Sequence, residues 1–223
     1  PATQRWISPS IALHTVSRSR TTVAATVCPS RVTRHVVPLR VRASVRPSGR
    51  EARRRHEEAM KLYYSPDYIR SKHAFDTTRK AGWIADDLRA VPIANVAMIE
   101  PLPLTCVELE ALHDATYIEA VRTGRPVELA ESQGFDWDPG LWRMVCASNG
   151  GAVHAAFVAL TERCNAGSLS SGLHHARRET GAGFCTFNGV ALAAKAALGA
   201  GAARVLILDL DAHCGGGTDE LVG

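Results

Sequence analysis

Between Gly167 and His213 the sequence alternates in a way that few architectures accommodate. A strand near Gly167 to Gly172 leads into a loop with two adjacent histidines. A helix over about Gly189 to Leu198 follows, and then an apolar strand from Arg204 to Leu210. Strand, helix, strand with a crossover of this length predicts a right-handed unit in a parallel sheet. Open parallel sheets bind ligands beyond the carboxyl ends of their strands, and both ends here carry reactive side chains. The first strand delivers His174 and His175, and the second stops in Asp209, Asp211 and His213. The expected fold is therefore α/β, three layers (αβα) around a mainly parallel sheet.

The preceding residues read as further parts of that body. Lys61 to Tyr64 predicts a short strand stopped by Ser65-Pro66, and Asp76 a helix cap for a segment running to about Arg89. Val96 to Ile99 predicts a second strand. Val107 to Leu112 and Tyr117 to Val121 predict two short helical pieces that end near Gly124, and residues 134 to 140 a loop. A long helix is expected from Leu141 to about Arg163, with small residues at Gly150 and Gly151 that admit close approach of another element. Among the glycine runs, Gly199-Ala-Gly201 precedes its strand and reads as a turn. Gly215-Gly-Gly217 allows an anion-binding nest but lacks the Lys-Ser/Thr ending of a P-loop.

Asp211 and His213 lie two residues apart where a strand gives way to a loop, so their side chains can converge on one ion. Carboxylate oxygen with imidazole nitrogen suits zinc, with ferrous iron as a substitute. Asp209 shares the strand face of Asp211 and suits a role in orienting a histidine. His174 and His175 are the candidates for moving protons. Taken singly, each residue has a duller reading, an aspartate capping a helix or a histidine pair at the surface. Their order on successive strands gives the combination its weight.

Charge divides the chain in two. Residues 1 to 50 hold nine Arg, thirteen Ser or Thr and no Lys, Asp or Glu, leaving 17 basic against 22 acidic groups for the remainder. The basic balance thus belongs to the first segment, and no basic face for nucleic acid is evident in the body. Arg-rich, Ser-rich, acid-free composition predicts an organelle transit peptide over residues 1 to 57, with Val41-Arg-Ala-Ser44 as a plastid-type processing neighbourhood. The localisation expected from it is plastid or mitochondrion. The rival reading places Met60 at the true start, which would make the protein cytoplasmic. Residues 58 to 223 then form the catalytic body. Its apolar runs are shorter than a bilayer span needs, so no membrane is expected. The six cysteines are scattered without a Cys-x-x-Cys pair, which argues for reduced thiols.

Gly172-Leu-His-His-Ala176, Gly183-Phe-Cys-Thr-Phe-Asn188 and Leu208-Asp-Leu-Asp-Ala-His213 resemble three consecutive motifs of the histone deacetylase family, which includes acetylpolyamine amidohydrolases and acetoin-utilisation proteins. Leu62-Tyr-Tyr-Ser-Pro-Asp67 and Leu112-His-Asp-Ala-Thr-Tyr117 resemble more variable signatures nearer its N-terminus. The resemblance covers about residue 60 to the end and implies an arginase/deacetylase-like sheet, incomplete at the C-terminus. It implies Asp211 and His213 as zinc ligands, His174 and His175 beside the attacked carbonyl, and Asp209 bonded to His174. It also implies a potassium ion on backbone oxygens near 209 to 213, an acyl-lysine channel lined by Gly183 and Phe184, and Asp136 gripping substrate at the rim. The implied reaction is zinc-assisted hydrolysis of an N-acyl amine, either acyl-lysine in a protein or an acetylated small amine.

Departures from the pattern carry their own expectations. Cys214 stands in place of a second His, Gly189 replaces an acidic or amide residue, and Gly216 replaces the Asn or Asp that orients the second tandem histidine. The third zinc ligand, an Asp, and the oxyanion-stabilising Tyr or His belong to a later part of the family's domain than these residues. An acyl-binding or scaffold homologue without catalysis is therefore the alternative. The arginase branch would need an Asp at position 215, where Gly215 stands.

Overall fold

The computed structural model describes residues 59–72 and 76–223 and the backbone of Leu13–His14, without the side chains of residues 76 to 78. Apart from the backbone of Leu13–His14, the leader lies outside the described residues, as do its processing neighbourhood and the Asp76 side chain expected to cap its helix. The strands are β1 (Leu13–His14), β2 (Met60–Tyr63), β3 (Val96–Ile99), β4 (Ala166–Ser168) and β5 (Leu206–Ile207). The helices are α1 (Asp76–Ala90), α2 (Cys106–Leu109), α3 (Ala115–Thr123), α4 (Val127–Ala130), α5 (Pro139–Glu162), α6 (Gly189–Gly199) and α7 (Gly216–Val222), with a 3-10 turn at Pro66–Ile69.

Three strands form a parallel sheet in the order β3-β2-β4, with Met60 opposite Val96 and Lys61 opposite Ala166. Long helical crossovers supply both parallel connections, as such ladders require. β4 is shorter than expected. Ser168 Oγ accepts from the backbone N–H of Ser170 (3.3 Å), which bends the chain out of the ladder before it reaches the histidines. β5 departs further from expectation. Among the described residues it pairs antiparallel with β1, Leu13 opposite Ile207, and not with β4. The expected parallel neighbourship of these two strands is thus not what joins the two halves of the site.

α5 organises the core. Asp138 caps its first turn, accepting from Gly140 N (2.7 Å), and Pro139 takes a first-turn position where no N–H is needed. A Cβ at Gly150 would lie 2.1 Å from the carbonyl oxygen of Leu102, and one at Gly151 would lie 1.6 Å from Tyr68 Oη. The small residues do admit close neighbours. By length and composition α5 could cross a bilayer, but here 56% of its apolar window is buried inside the protein. Leu141, Val145 and Cys146 pack with Tyr117, Phe187 and Leu192, while Ala147 meets Tyr64, Tyr68, Ala81 and Ala85 on the α1 side. Phe187 is fully buried between the rings of His113, Tyr117 and Trp142. Burying a ring of this size contributes a few kcal/mol and fixes α6 against α5 and α3.

Candidate active site

His174 is buried and His175 half-buried in the loop that leaves β4. The preceding residue, Leu173, takes a left-handed backbone (φ 57°), which turns the chain so that both imidazoles fall side by side, ring centres 4.1 Å apart. His174 Nδ1 lies 2.6 Å from Asp209 Oδ2. An ionised carboxylate only accepts, so Nδ1 carries the proton and Nε2 is left as the acceptor of the neutral ring. Asp209 is itself oriented, because its Oδ1 accepts from the backbone N–H of Asp211 (3.0 Å).

Asp211 repeats the same local device one step further along. Its Oδ1 accepts from His213 N (2.8 Å) and lies 2.9 Å from His213 Nδ1. A carboxylate oxygen and an imidazole nitrogen therefore meet at one point. The His213 ring stands 6.1 Å from that of His175. The five side chains singled out in the sequence thus form one cluster, reached without a ladder between β4 and β5. Burial, together with the imidazoles of His174 and His213, holds His175 below the ordinary histidine value, against a weaker opposing pull from Asp211 and Asp209. Among the described residues none hydrogen-bonds the His175 ring. A Cβ at Gly216 would come within 4 Å of one atom alone, Arg177 Nη2 at 3.6 Å.

Gly183 and Phe184 form the two-residue tip of a tight hairpin closed by the Ala182–Cys185 bridge, both with positive φ (51° and 65°). Two left-handed central residues make a type I′ turn, which accepts glycine readily and a phenylalanine only at a cost of roughly 1–2 kcal/mol. The conformation is held by Phe184 N donating to Gln133 O (2.8 Å). It leaves the Phe184 ring half-exposed and 5.0 Å from that of Phe135. A Cβ at Gly183 would fall 2.5 Å from His175 Cδ2, so the glycine lies flat against the imidazole. Asp136 is exposed, next to Phe135. The two aromatic rings and the glycine make an apolar flank beside His175.

Three contributors escaped the sequence reading. Phe135 pairs with Phe184 from a loop distant in sequence, which no local pattern announces. A Cβ at Gly215 would sit 2.8 Å from Asp209 Oδ2, and one at Gly217 would sit 2.3 Å from the carbonyl oxygen of Ala176. The glycine run that permits an anion nest instead opens α7 and lets it approach the His174–Asp209 pair. A shallow groove beside β4, lined by Ala152, Ser168, Ser170 and Val190, meets the histidine loop at Gly172 and holds none of the cluster.

Comparison with known proteins places this arrangement. The histone deacetylase domain matches residues 26–223. The chain belongs to the histone deacetylase domain family. Its match begins at residue 26, inside the segment read as a leader. A probable deacetylase of Archaeoglobus fulgidus is 30% identical over 178 residues, covering 74% of this chain and 46% of the relative. Histone deacetylase 8 of Arabidopsis thaliana is 32% identical over 170 residues, covering 70% and 44%. The crystal structure of the HDA15 HD domain superposes with a TM-score of 0.58 at 21% identity, covering 74% of this chain and 50% of that one. The fold is accordingly the α/β, arginase/deacetylase-like kind. The chain spans about half the length of the deacetylase-family relatives it matches.

As to a metal, Asp211 and His213 offer the oxygen and nitrogen donors that zinc takes, and they fit as two of the three protein ligands of a catalytic site. Among the described residues no group of three or more His, Cys, Asp or Glu side chains is placed to hold an ion. The donor set here is a pair.

Proposed function

We propose that the chain carries the histidine and partial metal half of a hydrolase that removes acyl groups from N-acyl amines, either acyl-lysine in proteins or acetylated small amines. The observation that carries this reading is the adjacency of two polar pairs, His174–Asp209 at 2.6 Å and His213–Asp211 at 2.9 Å, with His175 between them. Asp211 and His213 would hold zinc, or ferrous iron in its place. The ion's contribution would be to polarise the acyl carbonyl and acidify a water. The remaining chemistry belongs to the protein's own groups. Asp209 fixes the tautomer of His174, so Nε2 accepts a proton from water. The proton that His174 takes from water is then returned to the departing amine, and His175, which burial favours in its neutral form, is a second imidazole able to accept and pass on that proton. Gly183, Phe184 and Phe135 form an apolar wall suited to an alkyl chain, and Asp136 stands near its rim to engage substrate N–H groups.

The test is turnover of acetyl-lysine peptide and acetylated polyamine by the longest form of the protein that carries the domain, with and without chelator. Hydrolysis that His174→Ala, Asp211→Ala and chelator each abolish is expected; metal binding without turnover would overturn it. A second reading, an acyl-group-binding homologue without catalysis, draws on Gly216 and on the His175 ring, which none of the described residues hydrogen-bonds. Acetyl-peptide affinity in the absence of hydrolysis is its signature. The compartment we propose, plastid or mitochondrion, rests on the composition of the leader and is tested by the location of a fluorescent fusion.

A further inference from the structure

The segment Leu112 to Tyr117 contributes nothing to the cluster directly, yet His113 lies beneath it. This ring is 2% exposed; its Nδ1 donates to Arg177 O (2.8 Å) and its Nε2 accepts from Asn188 N (3.0 Å). Asn188 is fully buried, and its side chain fans out to four places. Nδ2, with two protons, donates to His174 O (3.2 Å) and Ala176 O (3.1 Å), Thr218 Oγ1 lies beside it (3.1 Å) and within reach of Oδ1 (3.3 Å), and Oδ1 accepts from Ala191 N (3.0 Å), capping α6. Thr218 N also donates to His174 O (3.0 Å). An ordinary helix cap uses the acceptor of its amide alone. Here the donor half is spent on the backbone that flanks the tandem histidines.

We propose that Asn188 is the positioning residue for the tandem histidines, clamping the carbonyls of His174 and Ala176 from below so that the His174 ring reaches Asp209. His113 and Thr218 brace the clamp, His113 from the backbone of residue 188 and Thr218 from α7. The proposal rests on the deacylase reading for its catalytic meaning, although the clamp itself is independent of it. A carbonyl held at both ends of a two-residue span leaves His175 little freedom to rotate about its backbone. The ring of residue 174 is then set by a rigid loop and not by its hydrogen bond to Asp209 alone.

The experiment uses the 223-residue chain with 15N-labelled histidine. The Nδ1 proton that His174 donates to Asp209 gives a far-downfield resonance, assigned by its loss in His174→Gln. Asn188→Asp keeps the shape and the α6 cap but removes both donors and sets a carboxylate against two carbonyls. The expected result is loss of the signal, or solvent exchange about tenfold faster, the factor that a hydrogen bond of ordinary net strength sets. Circular dichroism and dispersion of the other amide signals should be unchanged. A role confined to capping α6 would leave the proton in place, and an unmoved signal in the folded variant overturns the proposal. Should Asn188→Asp not fold, Thr218→Val decides: it removes one brace while preserving volume, and faster exchange of the same proton supports the clamp, whereas an unmoved proton refutes it. In a form that turns over acyl-lysine, the clamp predicts a fall in kcat with KM nearly constant. If no form hydrolyses acyl amines but the proton responds, the deacylase reading fails and the clamp stands.

Discussion

His113 offers the sharpest quantitative test of this structure, because its hydrogen bonds admit one protonation state. The Arg177 carbonyl can only accept, so Nδ1 carries a proton, and the backbone N–H of Asn188 can only donate, so Nε2 carries none. Burial, the largest cause, pushes the ring from 6.5 down to about 4, aided by the charge of Arg178 and opposed by bonds to the backbone of Arg177 and Arg178. A folded-state value below the unfolded one means that the unfolded chain binds this proton first as pH falls. The stability concerned is complete above about pH 6.5 and is lost progressively down to about pH 4. At 1.36 kcal/mol per unit, the difference amounts to about 3 kcal/mol. The assay is urea unfolding at several pH values between 7.5 and 4 for the chain and for His113→Gln, whose amide does not titrate. Acidic groups with depressed values, such as Asp114 and Glu108, lose their contribution in both proteins and cancel in the comparison. Wild type should lose about 3 kcal/mol more than the variant over this interval. Parallel stability curves for the two proteins would refute this, showing that the buried His113 ring accepts a proton without penalty.

Other substitutions test neighbouring parts of the structure. Gly217→Ala places a methyl 2.3 Å and 2.5 Å from two backbone oxygens of the histidine loop. It should cost about 1–3 kcal/mol, a fall in Tm of roughly 2–12 °C by calorimetry. Gly199→Ala meets nothing within 4 Å and should leave Tm unchanged or slightly raised; an equal response of the two variants would contradict the packing described. Asp138→Ala removes the α5 cap and the acceptor of Ser71 Oγ (2.6 Å) and Lys72 N (3.3 Å). A loss of about 2–3 kcal/mol in urea unfolding is expected, and a loss below about 0.5 kcal/mol would mean that water replaces the cap.

Much of the fold follows local rules, and the departures have specific causes. β2, β3 and the long helix begin and end near the expected residues because Pro66, Asn95, Asp138 and Pro139 punctuate the chain where its apolar pattern changes. α7 was not legible, since Gly215 to Gly217 look like a loop until the carbonyls of His175 and Ala176 are seen pressing on them. The pairing of β5 was not legible either. A run such as Val205 to Leu208 signals burial on both faces, but alternation and length say nothing about which edge it joins. The site was more readable than the sheet. His174, His175, Asp209, Asp211 and His213 are chemically conspicuous, whereas Asn188 and Phe135 act through contacts that depend on distant segments.

The way the cluster assembles explains why its members could be picked out of the sequence while the pairing of β5 could not. No ladder connects the histidine loop to the Asp209–His213 segment among the described residues. Polar links do so instead: His174 to Asp209, Thr218 N to His174 O, and the Asn188 amide to the loop carbonyls. Gly215 and Gly217 allow the two backbones to approach closely enough for those links to form. Each link is short-ranged and directional, so the relative placement of the imidazoles and carboxylates depends on these few contacts more than on the sheet's edge-to-edge order. It follows that residues beneath the loop should control the geometry of the histidines as strongly as residues on the strands that carry the cluster.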